Sequence, residues 1–258
     1  MPDALLAALL ALGVFVGMVI LHEVGRCVGH RRLARDPGGA RAGVGAIDGA
    51  VFGLLGLLVA FTFSGAASRF DARRQLVVEE ANAIGTAYLR LDVLPHEAQP
   101  ALRDKFRRYV EARLDAYRKL PDIAAAKEEL ARATALQGEI WGEAVAASRV
   151  PSPQPAAMLL LPALNAMIDI TTTRTMAAQT HPPVIIFAML VLLALVSALL
   201  AGDGMGGGKG RSWIHVIGFA AVMALAVYVI LDIEFPRLGL IRVDAVDQVL
   251  VELRESMK

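Results

Sequence analysis

With one cysteine, Cys27, the chain can form neither an intrachain disulfide nor a paired-thiol motif. Aromatic residues make up only 6%, too few for a base-stacking surface, and a net charge of +1 leaves no general attraction for nucleic acid. No stretch alternates apolar and polar residues as a strand does. Nucleophile elbow, phosphate loop, HExxH and paired-cysteine motifs are all missing. The glycines of 202–210 follow no strand, so they do not form a nucleotide loop. Together these gaps argue against an enzyme, a metal site, a cofactor or a nucleic-acid partner.

What the chain has in excess is apolar residues. They make up 56% of its 258 residues, and mean hydropathy is +0.53, too high for an ordinary soluble domain of this size. Charged residues still reach 20%, so a sizeable part must face water. Four apolar stretches stand out, at 4–21, 43–64, 183–201 and 213–231. Each is close to the roughly 20 helical residues that cross a hydrocarbon core of about 30 Å. The first has no basic segment before it, and it runs into His22, Glu23 and Arg26 rather than a small-residue cleavage site. It reads as a retained membrane helix, not a signal peptide.

The expected fold is all-α: a polytopic membrane protein with four transmembrane helices and a helical extramembrane bundle between the second and third. Residues 1–67 form the first hairpin, 68–180 the insert, 181–232 the second hairpin and 233–258 a C-terminal tail. The lipid bilayer is then an obligate partner. Four crossings put both termini and the insert on one side of the membrane.

Arginines do not decide which side that is. The first hairpin loop holds Arg26, Arg31, Arg32, Arg35 and Arg41, and the second, a glycine-rich segment read as flexible, holds Lys209 and Arg211. The other side offers Arg69, Arg73, Arg74, Arg174, Arg237 and Arg242, close to a tie under the positive-inside rule.

The second apolar stretch passes without Pro into a charged one, so a single helix is expected to leave the bilayer and enter the insert. In its polar part Phe70, Val77, Ala81, Ile84, Tyr88 and Leu91 share one face. Pro95 ends it. A second insert helix carries Leu102, Phe106, Val110, Leu114 and Tyr117 and ends at Pro121. A third begins at an Asp122 cap and carries Ile123, Leu130, Leu136 and Ile140 as far as the break PSPQP. A fourth covers about 156–179 and returns to the membrane at His181-Pro182-Pro183.

Several residues bear on function. Gly45, Gly49 and Gly53 form two small-xxx-small steps in the second span, and Gly56, Ala60 and Ser64 two more on a shifted face; such spacing lets helix backbones approach closely, either within one subunit or between copies around an axis. Asp48 is an ionisable residue inside that apolar run. Phe52, Leu55, Val59 and Phe63 continue at helical spacing, as a hydrophobic constriction would, or as ordinary packing. Past the membrane, Arg69, Arg73, Arg74, Glu79 and Glu80 form either an electrostatic vestibule or a solvated face. Asn165 and Asp169 lie four apart on the returning helix, ahead of Arg174, placed to hold an ion or to pair with Arg73 or Arg74 in a buried polar network.

The run LLGLLVAFTFSGAASRFDARRQLVVEEANAIG resembles the second membrane helix and its continuation in bacterial bestrophins. The layout, with its F-P-x-L-G-x-I-x-V element at 235–243, is closer still to the bestrophin-like family of bacterial membrane proteins. Bestrophins are pentameric anion channels whose second helix lines a hydrophobic neck. The resemblance therefore implies a homo-oligomer, a pentamer by analogy, with inorganic ions as ligands. It also implies an inner-membrane location, with the insert and both termini cytoplasmic, and Phe52, Leu55, Val59 and Phe63 at the neck. Two departures stand out: the aromatics after the neck are reduced to Phe70, and no acidic calcium clasp follows Asp232. The rival expectation is a stator-like, scaffold or sensor subunit acting through a protein partner.

Overall fold

The computed structural model describes residues 4–36, 44–150, 155–208, 210, 212–236, 240–241 and 244–257. Arg41, Gly43, residues 151–154, Lys209, Arg211, Arg237, Arg242 and much of the 235–243 element lie outside the described residues. The described residues form α-helices and no strand: α1 Ala4–Arg35, α2 Val44–Leu89, α3 Gln99–Arg118, α4 Ile123–Ser148, α5 Ala156–Gln179, α6 Val184–Met205, α7 Trp213–Glu234 and α8 Asp244–Ser256. Four helical stretches are long and apolar enough to cross a membrane: Leu5–Arg35, Val44–Val93, Ala156–Met205 and Trp213–Glu234. The chain is an all-α, multi-pass membrane protein.

Two compact units divide the chain, Met1–Ser68 with His181–Leu240 and Arg69–Thr180 with Ile241–Lys258. In the first, α1 packs along α6 and against α7. The α1 side of that seam is Ala7, Ala11, Val14, Met18, His22, Gly25 and Gly29, spaced by threes and fours. Facing it, α6 buries Leu190, Ala194, Ser197, Ala198 and Gly202. Small side chains bring the two backbones close, and at one end no side chain separates them. A Cβ on Gly25 would lie 1.9 Å from the Leu199 carbonyl oxygen, and one on Gly202 2.0 Å from that of His22. A Cβ on Gly29 would lie 2.3 Å from the Asp203 carbonyl oxygen, and one on Gly206 2.6 Å from Gly29 itself. In lipid, where apolar burial gives helices little reason to associate, such approach is what holds them together.

Both helices outrun the apolar stretches seen in sequence. α1 continues from Leu21 to Arg35, and α6 takes in Gly202–Met205, part of the glycine segment read as flexible. The seam supplies the order that composition alone does not suggest.

The second unit is built on the expected apolar faces. Val77, Ala81, Ile84, Tyr88 and Leu91 are buried with Leu102, Phe106, Val110 and Leu114 of α3 and with Leu136 and Ile140 of α4. From α5 come Leu160, Leu164 and Met167, and from α8 Leu250. Each large side chain taken fully out of water contributes about 1.5–3 kcal/mol. Asp122 caps α4 by accepting the Ala125 amide at 3.0 Å. Ile123, expected on the inner stripe, is 43% exposed in the first turn, and the stripe starts at Ala126 instead.

Candidate functional site

α2 contributes Val44–Ser68 to the first unit and holds every residue expected to line a pore. It has no Pro, and apolar residues surround it, so within lipid its backbone satisfies itself. It is also the least covered of the four spans. The apolar window of its stretch is 6% buried, against 28%, 22% and 33% for the others.

The glycine side is open. A Cβ added to Gly45, Gly49, Gly53 or Gly56 would meet nothing within 4 Å. Phe63, seven residues past Gly56 and hence on that side, is 45% exposed. Leu55 is 3% exposed, Phe52 and Val59 are half-buried, and Phe52 meets Phe219 of α7 edge-on with centroids 6.2 Å apart. Asp48 is half-buried, and its Oδ1 is buried with no hydrogen-bond partner among the described residues. Thus the four differ in how far their own protomer covers them: Leu55 is buried, Phe52 and Val59 are partly covered, and Phe63 is exposed.

In the second unit, Glu80 and Arg174 come together around a residue the sequence reading passed over. Glu80 is fully buried and accepts the Arg113 Nε at 2.6 Å; Arg174 donates to its other oxygen. Arg113 also donates to the Tyr117 hydroxyl at 2.8 Å, and both guanidiniums lie over the Tyr117 ring, at 5.5 and 4.5 Å. Burial alone pushes the Glu80 carboxyl up, but the two guanidiniums outweigh it and hold the group below the ordinary carboxylate range. Beside this triad Gln137 donates to the Tyr109 hydroxyl at 3.0 Å and to Thr171 at 3.3 Å. Burial, then the Glu80 charge, push the Tyr109 phenol well up. Glu80 thereby joins α2 to α3 and α5. Arg113 was legible in principle: it lies seven residues past Phe106 and four past Tyr109, on the buried stripe.

The remaining polar candidates make separate contacts among the described residues. Asn165 donates to Asp169 at 3.0 Å on the exposed side of α5. Arg73 instead donates to the Ala177 carbonyl at 3.1 Å and the Thr180 carbonyl at 3.0 Å, covering the end of α5. Arg74 pairs with Asp71 at 3.5 Å and lies over the Phe70 ring. Arg69 is half-buried, and Glu79 is exposed. Among the described residues no group of three metal-ligating side chains occurs.

The family model described as Bestrophin-like domain matches residues 4–247. No curated protein and no solved structure matches the chain.

Proposed function

The chain belongs to the bestrophin-like family, and from that premise we propose that it is an oligomeric channel through which ions, anions by family resemblance, pass down a pore walled by α2. The observation that carries this reading is the uncovered glycine side of α2. A glycine surface offers lipid tails little contact and another helix a great deal. Copies of α2 therefore gather on Gly45, Gly49, Gly53 and Gly56, around a pentamer axis by the same resemblance. Phe63, on that side, narrows the lumen and repels water. Leu55, with Phe52 and Val59, supports the wall from behind. Both termini and residues 68–180 lie on the cytoplasmic side of the inner membrane.

The test is ion flux from liposomes holding the purified protein, with chloride and potassium gradients imposed separately. Chloride flux is expected, raised at least twofold by Phe63→Ala and less by Phe52→Ala or Val59→Ala. Unchanged flux in Phe63→Ala refutes the wall assignment. No flux from oligomers verified as intact refutes the channel and favours a role that needs a second protein.

A further inference from the structure

The outer side of α1 bears a separate pattern. Ile20, Val24 and Val28 stand on it at intervals of four, 56%, 45% and 51% exposed. Three and seven residues beyond Val28 the same side continues with Arg31 and Arg35, both exposed. The other cations of this helix end are occupied. Arg26 pairs with Glu23 at 3.2 Å and Arg32 with Asp203 at 2.6 Å. Neither Arg31 nor Arg35 has an ion-pair partner among the described residues. Two like charges four apart on a helix repel each other, and an anion held between them relieves that repulsion.

We propose that Arg31 and Arg35 form a binding site for the phosphate of an anionic phospholipid, whose acyl chain lies along Val28, Val24 and Ile20. The arrangement matches such a lipid end to end. An apolar strip as long as two helical turns leads to a pair of planar, permanently charged forks that bind phosphate oxygens bidentately. Helix rise puts the two arginine Cα atoms about 4.5 and 10.5 Å past that of Val28. A zwitterionic lipid carries its own cation beside the phosphate and satisfies the pair less well. A free phosphate would use the arginines but not the apolar strip.

The experiment uses the full chain in neutral detergent and reads the thermal unfolding midpoint with added phosphatidylglycerol, phosphatidylcholine or inorganic phosphate. Phosphatidylglycerol is expected to raise the wild-type midpoint by several degrees more than phosphatidylcholine does, with no shift from inorganic phosphate. In Arg31→Gln/Arg35→Gln the midpoint in phosphatidylcholine stays at the wild-type value and more than half of the phosphatidylglycerol increment disappears. Arg31→Lys/Arg35→Lys keeps the charge, loses the fork and retains part of the increment. If the double variant fails to fold, Arg35→Gln alone, in the last turn of α1, must lower the increment. A full increment in the glutamine variants overturns the site. A shift from inorganic phosphate equal to that of the lipid makes it a free-anion site and overturns the lipid assignment.

Discussion

Replacing Gly202 by alanine tests how α1 and α6 are held together. In an isolated helix the change favours folding by about 1 kcal/mol, because alanine loses less backbone freedom. Here the new Cβ would lie 2.0 Å from the His22 carbonyl oxygen and 2.9 Å from the Arg26 amide nitrogen. Carbon–oxygen contacts between helices settle near 3.3 Å, so the backbones must part by about 1.3 Å. What blocks the methyl is main chain, and no rotamer change relieves it. Parting the helices also loosens Gly25 and Gly29, which sit in the same contact. Overpacking costs about 1–3 kcal/mol against a propensity gain of about 1, and with main chain as the obstacle the upper end applies, a net loss of up to about 2 kcal/mol. The assay is loss of helicity on heating in detergent, with Gly53→Ala measured in parallel. Gly53 has nothing within 4 Å of its Cβ position, so the protomer should melt at or slightly above the wild-type midpoint. A Gly202→Ala protein as stable as Gly53→Ala would refute the view that backbone contact, not side-chain packing, joins the two helices.

Glu80→Gln leaves Arg113 and Arg174 buried without their carboxylate, and chemical denaturation should show a loss of about 3–5 kcal/mol. Because the folded Glu80 carboxyl sits below its ordinary range, its contribution is fully present above an unfolded value of about 4.3 and is lost as pH falls further, through the folded value. The wild-type midpoint should therefore hold from pH 8 to about 5 and drop below that, and the Glu80→Gln profile should be flatter over the acid range. Asp122→Ala removes the α4 cap and should cost about 0.5–2 kcal/mol by the same denaturation assay, with ion flux unchanged. Gly49→Leu/Gly53→Leu fills the open side of α2; cross-linking should show fewer assembled copies, while protomer helicity is retained.

The membrane spans and the bundle helices were legible because their signals are local. A long apolar run, a Pro break at Pro121 or Pro183, or an Asp122 cap needs no knowledge of distant residues. The glycine seam was not, since its two sides stand far apart in sequence and a glycine-rich segment with no partner in view looks like a flexible loop. Arg113, and with it the pairing of Glu80, went unseen for a related reason. Each sits in a charged helix where solvent is the usual neighbour, and the third member of their triad, Arg174, stands far away in sequence on α5. At the proposed pore, helical spacing put Phe52, Leu55, Val59 and Phe63 together, but spacing alone cannot say which side of a span its own protomer covers. That depends on α7, whose Phe219 meets Phe52.

The seam between α1 and α6 also sets a schedule for biogenesis. Arg32 and Asp203, which pair across it, are 171 residues apart in the chain. A ribosome adding about 5–20 residues per second needs roughly 10–30 s to make the second after the first. For that interval α1 stands without its α6 partner, its glycines open and His22 and Arg32 without Met205 and Asp203. The nascent chain must be sheltered until α6 emerges, so the rate of translation through residues 68–180 sets how long the first helix stays exposed to misassembly.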